Sequence, residues 1–351
     1  MHDTDLAQGE QRRRIIDGGH AVRIGDPKFP ASGALGPAKA LARRGGAGYK
    51  ISMTHAQSER ATRVALVTAE IFPDLYEDDH PLRDALRERG VAVDAVRWDD
   101  PAADWDGYDL VVLRSPWDYA PRRDAFVAWA RTVPRLVNPA DVVEWNTDKH
   151  YLGDLAAAGL PITPTTFVEP GEAWTPPEAG EWVIKPTISA GSRDTGRYLL
   201  PEDLTTARAH VQRLGAEGRT AMVQPYLAAV DTAGETAILC LPDATGALAF
   251  SHAVRKGPLL NGRGERSGEY REDITARTPS AQERDLAGRV LRLVPGGADR
   301  LLYARVDLVP GPDGAPLLLE LELTEPSLFL RSADGAAARL ADAVLRRIGV
   351  S

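Results

Sequence analysis

The 351 residues carry 42 Lys and Arg against 50 Asp and Glu, a net charge of −8, and are 43% hydrophobic and 26% charged. This is a globular composition with length for two or three lobes; collagen-like, coiled-coil and wholly disordered chains are excluded. The acidic balance argues against general nucleic-acid binding, which needs a basic footprint.

No window approaches about 18 consecutive apolar residues, and no basic-then-apolar leader pattern opens the chain, so no membrane partner is expected. Cys240 is the single cysteine, which excludes an internal disulfide and a cysteine zinc cluster. A cytoplasmic location fits these features. Only six of the 42 basic residues are lysine: Lys28, Lys39, Lys50, Lys149, Lys185 and Lys256. A chain that defaults to arginine and keeps three lysines after residue 60 points to places that need a compact ammonium.

Residues 1–60 hold ten Lys and Arg against six Asp and Glu, with no helical or strand period. They read as a disordered extension or as a mis-assigned start, Met53 being an alternative first residue. From residue 61 the pattern alternates. Strands are predicted at 63–68, 91–98, 109–113 and 135–137, and helices at 80–90 and 122–131, with Gly90 closing the first. Alternating strands and helices mean parallel βαβ units, a small α/β domain over 61–138.

A second, α+β lobe spans 139–225. It has a helix at 147–158 capped by Asn146 or Thr147, strands at 163–168, 182–186, 197–200 and 220–224, and a helix at 202–214. A third lobe spans 226–351. Its strands are expected at 236–241, 247–254, 302–309 and 316–322, and its helices at 280–294 and 336–348, the last capped by Asp334.

The chemistry concentrates in a few stretches. Residues 303–308 and 316–322 flank a turn-rich loop, Gly311-Pro312-Asp313-Gly314, which signals a hairpin. If Pro310 pairs with Ala315, Arg305 faces Glu320 and Asp307 faces Leu318. Strand alternation then puts Arg305, Asp307, Glu320 and Glu322 on one face. Three carboxylates together repel unless a divalent cation relieves them, and Mg²⁺ favours carboxylate and phosphate oxygens. A solvated face with ordinary ion pairs is the alternative. A loop one residue longer would split the set between two faces.

Lys185 lies inside an apolar strand, Val183-Ile184-Lys185-Pro186, and needs an anionic partner. The Gly- and Ser-rich stretch 187–196 follows it, with backbone N–H groups for oxyanions. Lys149 falls in the first turn of the predicted helix, against the helix dipole, which a bound phosphate would offset. Gln224-Pro225-Tyr226 must leave its sheet at the proline. Ser251 to Lys256 ends a strand with Arg255 and Lys256 side by side.

In order, N-T-D-K, V-I-K-P with its Ser/Gly loop, V-Q-P-Y, G-E-T, S-H-A-V-R-K, R-x-D and L-E-L-E-L-T-E-P-S-L-F-L resemble the ATP-grasp superfamily. The likeness covers roughly residues 61–350. Within the superfamily it falls nearest the glutathione-synthetase-like and cycloserine-biosynthesis-type ligases. It implies an α/β and α+β ATP-grasp fold with a small N-terminal α/β domain. The implied activity is ATP- and Mg²⁺- (or Mn²⁺-) dependent joining of a small carboxylate to an amine through an acyl phosphate, in natural-product biosynthesis. A peptide-tailing ligase, a kinase on the same fold and a non-catalytic nucleotide-binding regulatory module are the rivals. A homodimer is implied by analogy alone.

The resemblance also implies roles. Lys149 and Lys185 reach the phosphates and the adenine edge. Ser189, Gly191 and Ser192 belong to a mobile loop over the triphosphate. Gln224 and Tyr226 form the adenine hinge, and Asp231 or Glu235 holds the ribose or orients a lysine. Asp307, Glu320 and Glu322 match metal ligands, with Glu322 where many relatives have Asn. Arg255, Lys256 and Arg305 neutralise charge on the transferred phosphoryl group. His252 is expected to be structural rather than a general base. Arg114, at the end of a strand in the α/β domain, and Arg271 are candidate binders of a substrate carboxylate. Glu325, Ser327 and Arg331 line the acceptor pocket.

Overall fold

The computed structural model describes residues 60–260, 262–265 and 273–350. Three sheets follow one another along the chain. The first is parallel, in the order β2-β1-β3-β4: β1 (Arg63–Thr68), β2 (Ala92–Arg97), β3 (Leu110–Ser115) and β4 (Leu136–Val137). Helices α1 (His80–Glu88) and α2 (Arg123–Thr132) complete the crossovers. Gly90 sits at φ 79° just beyond α1, a conformation glycine adopts without strain.

Helix α4 (Tyr151–Ala157) stands where a helix over 147–158 is predicted, and α3 (Ala140–Asn146) precedes it over residues for which no helix is predicted. Asn146 and Thr147 are therefore not N-caps: His150 holds that place without a side-chain bond. Asn146 instead clamps a strand edge, donating to Leu321 O at 2.7 Å and accepting from Leu323 N at 2.7 Å. A short Asn-Thr-Asp stretch reads locally as a helix start; the long-range backbone groups that claim Asn146 leave no local trace.

The second sheet combines β5 (Thr166–Val168), β6 (Gly180–Pro186), β7 (Gly196–Leu200) and β8 (Ala221–Pro225), backed by α5 (Leu204–Ala216). The third contains β9 (Glu235–Pro242), β10 (Leu248–Lys256), β12 (Ile274–Ala276), β13 (Ala304–Pro310) and β14 (Pro316–Glu322). The two-residue β11 (Gly264–Glu265) crosses over to pair with β7. Helix α6 (Ala229–Ala233) leads into the third sheet, and α7 (Ala281–Leu291) and α8 (Ala336–Ile348) cover it. Ser280 and Glu283 form a reciprocal capping box on α7. Asp334 does not cap α8: Gly335, at φ 72°, occupies the N-cap.

One core joins the first sheet to the third. Val64, Leu66, Leu82 and Leu86 pack with Leu239, Leu340 and Val344. Fully burying one such side chain is worth about 1.5–3 kcal/mol, so this shared core holds the first sheet to the third.

Candidate active site

A cavity of about 560 Å³ is lined by residues of the second and third sheets, by stretch 189–195 and by 76–78, 117 and 119 of the α/β unit. The three late lysines all reach it. Lys185 enters from β6, and Lys256 from the end of β10. Lys149 lies in the turn between α3 and α4, not in a helical first turn, so the dipole argument for it falls. Its backbone N–H donates to Thr187 O at 3.0 Å, and its ammonium to Ser189 O at 3.2 Å.

The opposing carboxylates come from the β13–β14 hairpin. Pro310 pairs with Pro316, one residue beyond the register expected from the loop. That parity would turn Glu320 and Glu322 away from Asp307. A bulge at Leu319 reverses it: Leu308 pairs with Leu318, but Asp307 pairs with Glu320 and Arg305 with Glu322. The four residues therefore share one face, by a different pairing from the one read off the sequence.

Glu320 lies 3.2 Å from Lys149 Nζ and 3.9 Å from Lys185 Nζ. Burial works to raise its pKa, but the ammonium groups of Lys149, Lys185 and Lys256 outweigh it and hold the carboxyl at about 2. The same pairing keeps Lys149 above the usual lysine range against its burial, while burial pulls Lys185 below it. Glu322 behaves oppositely. Burial, with Glu320 and Asp307 beside it and Arg305 opposing, raises it to about 8. Arg305 donates to Glu322, to Asp307 Oδ1 at 2.9 Å and to Ser327 O at 3.1 Å.

Asp307 is wholly buried and lies 2.8 Å from Lys256 Nζ. Expected as a metal ligand, it is here held between two cations and does not face the cavity. Among the described residues no group of three or more acidic, His or Cys side chains is arranged to hold a metal ion. Glu320 and Glu322 are the two of the expected three that present oxygens to the cavity.

Stretch 189–196 bends sharply, with Gly191 at φ 64°, and Ser192 and Asp194 both at φ 54°. Arg219 anchors the Asp194 carboxylate at 2.6 Å. Ser189, Gly191, Ser192, Gln224 and Tyr226 all line the cavity. Of the two acidic alternatives, Glu235 lines it and pairs with Lys256 at 2.9 Å. Asp231 instead accepts a hydrogen bond from the Tyr226 hydroxyl outside it.

Two arginines expected at the site lie elsewhere. Arg255 neighbours Lys256 on β10, so the two point to opposite faces. Its Nε donates to Ala233 O at 3.0 Å, and Nη1 lies 3.2 Å from Asp273. Arg114 is 1% exposed. It donates to Asp79 Oδ1 at 2.7 Å and to Pro326 O at 2.8 Å, a structural clip rather than a substrate binder. His252 likewise bonds Leu328 O at 2.9 Å, as expected of a structural histidine. Arg271 lies outside the described residues. Glu325, Ser327 and Arg331 all line the cavity.

Sequence reasoning missed two hydroxyls. Thr163 and Thr195 are 1% and 5% exposed, line the cavity and have no hydrogen-bond partner for Oγ1 among the described residues. Buried hydroxyls without partners are uncommon and point to a ligand that supplies them. Nothing in the local sequence marks Thr163; Thr195 closes the loop before β7.

With this geometry in view, comparisons with known proteins are informative. Residues 64–138 match the family described as D-cycloserine synthetase DcsG, N-terminal domain. Over 300 residues the chain is 37% identical to the cycloserine biosynthesis protein DcsG of Streptomyces lavendulae, covering 81% of this chain and 98% of that protein. The crystal structure of D-cycloserine synthetase DcsG matches with a TM-score of 0.69 at 35% identity, covering 82% of this chain and 99% of that one. A RimK domain ATP-grasp protein from Sphaerobacter thermophilus, 19% identical, shares the fold with a TM-score of 0.55 over 80% of this chain and 99% of its own. The chain belongs to the cycloserine-biosynthesis branch of the ATP-grasp ligases, the ADP-forming enzymes that join a carboxylate to an amine.

Proposed function

We propose that this chain uses ATP to activate the carboxylate of a small amino acid or amino-acid derivative, then forms a C–N bond from it. The observation that carries this reading is the convergence of Lys149, Lys185 and Lys256 with Glu320 and Glu322 in one cavity bounded by a bent Ser/Gly loop. The partnerless hydroxyls of Thr163 and Thr195 fit a polar ligand filling that space. We propose the lobes as 61–138 for substrate, 139–225 as the lid and 226–351 as the base.

In the proposed reaction a substrate carboxylate oxygen attacks the γ-phosphorus, and the bond to the β-phosphate oxygen breaks, leaving ADP. An amine nitrogen then attacks the acyl carbon. Phosphate departs with the C–O bonding pair, and the nitrogen loses a proton. Lys149 and Lys185 hold the phosphates. Lys256 and Arg305 neutralise charge on the transferred group and the acyl oxygen. Residues 189–196 exclude water that would hydrolyse the acyl phosphate. Glu320 and Glu322 would hold Mg²⁺ or Mn²⁺, with Asp307 behind them, and a dication there supplies charge neutralisation at the phosphates. Glu322, raised to about 8 first by burial and then by Glu320 and Asp307 beside it, suits such a cation.

The test is release of ADP, AMP and phosphate from Mg-ATP with pooled small amino acids, beside Lys185→Ala. Amino-acid-dependent ADP and phosphate, lost in the variant, is the expected result. AMP with pyrophosphate overturns the acyl-phosphate route. ADP with a stable phosphorylated product marks a kinase instead. Binding of ATP without turnover leaves the regulatory module.

A further inference from the structure

Arg197 is the second residue of β7, directly after the bent stretch that bounds the cavity, and does not itself line that cavity. In a chain that defaults to arginine its residue type is no signal. Its enclosure is one: the side chain is 14% exposed, and the groups that meet its guanidinium come from three segments. Nη2 donates to Glu181 Oε2 on β6 at 2.6 Å and to Asp231 Oδ2 in α6 at 3.5 Å. Nη1 donates to Leu260 O, past the end of β10, at 3.1 Å. The guanidinium carbon lies over the Tyr226 ring, 3.5 Å from its centroid. Tyr226 and Leu260 both line the cavity, so Arg197 braces its wall from outside.

The contacts close on Tyr226. Its backbone N–H donates to Glu181 O at 2.8 Å, and its hydroxyl donates to Asp231. Glu181 and Asp231 are also the two carboxylates that Arg197 binds. The tyrosine is therefore held at backbone, hydroxyl and ring face, and one guanidinium ties the three supports together. The carboxylates are 30% and 41% exposed, and ion pairs that wet are weak. The stack is different, because a guanidinium on an aromatic face gains as it is desolvated. Arginine can do both at once, its plane stacking while its edge donates; lysine cannot.

We infer that Arg197 is a positioning residue that acts through Tyr226, fixing the tyrosine ring where the base of the nucleotide packs. The inference rests on the ATP reading of the cavity and deepens it, adding to the hinge at Gln224 and Tyr226 a support that lies outside the cavity. The charged groups assigned to the phosphates pair among themselves, Lys149 and Lys185 with Glu320 and Lys256 with Glu235. Loss of Arg197 should therefore weaken recognition of the base and spare recognition of the phosphates.

The experiment is a double-mutant cycle on Mg-ATP affinity by isothermal titration, using Arg197→Met, Tyr226→Leu and the pair. Magnesium tripolyphosphate, which has no base, is titrated beside it. Arg197→Met should weaken ATP about five- to thirtyfold, the reach of a cation–π contact that is partly to fully desolvated, and should leave tripolyphosphate unchanged. In the Tyr226→Leu background the same substitution should cost less than about twofold, because the ring it positions is gone. Arg197→Lys should recover only part of the loss. In turnover, KM for ATP should rise while kcat and KM for the amino acid hold. Equal costs in the two backgrounds overturn the inference, since Arg197 would then act by another route. Equal weakening of ATP and tripolyphosphate also overturns it, as does full ATP affinity in Arg197→Met. Coupling to Tyr226 without amino-acid turnover upholds the inference and defeats the ligase reading alone; wild-type protein that does not bind ATP defeats both. Melting temperatures of the variants separate lost affinity from misfolding.

Discussion

Asp307 and Glu320 stand directly opposite each other across the β13–β14 hairpin because the strand carries an extra residue, Leu319, beside them. Continued without that bulge, the ladder from Leu308 and Leu318 would set Leu319 against Asp307 and turn both glutamates to the other face. The anionic side of the cavity depends on this one irregularity.

Glu320 neutralises two lysines at once, so Glu320→Gln leaves Lys149 and Lys185 without their carboxylate. The expected outcome is a loss of about 2–3 kcal/mol in nucleotide-free stability near pH 7 and turnover lower by about a hundredfold or more. Calorimetry and ADP release check the two. Because the native carboxyl sits at about 2, below the usual 4.5, its stabilisation is present above 4.5 and disappears as pH falls from there toward 2. Unchanged stability in the variant would mean that the lysines are balanced by other groups.

Glu322 carries the opposite sign. Its native carboxyl is raised to about 8 from the usual 4.5. The unfolded chain therefore releases this proton earlier, and the metal-free protein should lose stability as pH rises from about 4.5 to 8. Glu322→Gln should flatten that slope and stabilise the chelator-treated protein by about 1–2 kcal/mol at pH 8, at the cost of turnover. Melting curves at several pH values in chelator decide it; an identical slope in both proteins counts against the assignment.

Thr195→Val removes a hydroxyl that no group among the described residues satisfies. Stability should stay level or rise slightly, because an unsatisfied buried polar group is replaced by an isostere. ATP affinity should fall by about five- to tenfold, the worth of a lost hydrogen bond. Isothermal titration with ATP and thermal melting together separate this from a packing defect, which would lower both.

Arg114→Ala should act on the fold first. It leaves Asp79, 2% exposed, buried without its cation, and removes the bond to Pro326 O. A loss of about 3–5 kcal/mol is expected, measured by denaturant unfolding. The double variant Arg114→Met with Asp79→Asn should recover part of it. A large rise in substrate KM at unchanged stability would restore Arg114 to the substrate pocket.

Much of this molecule was legible along the chain. Strands such as β1, a continuous apolar run, and helix α8, with its 3.6-residue apolar stripe, fell where periodicity placed them, because burial on one face imposes that period. The late lysines were legible for a compositional reason: against an arginine background, each ammonium stands out, and all three line the cavity. The order of motifs along the chain pointed to the fold family.

What only the tertiary structure decided has a common cause. Parity in a hairpin and the face on which Arg255 rather than Lys256 points depend on hydrogen-bond register, and the choice between Asp231 and Glu235 on the turn at Gly234 between α6 and β9. One bulge or turn residue can reverse each. Arg114 and Glu325 show the same limit for charge. Both are single ionisable residues near loops, yet Arg114 finds its partner 35 residues away and is buried, while Glu325 lines the cavity with no cation at ion-pair distance among the described residues. A sequence records which charges exist; pairing depends on distance in space, and only the folded chain sets that distance.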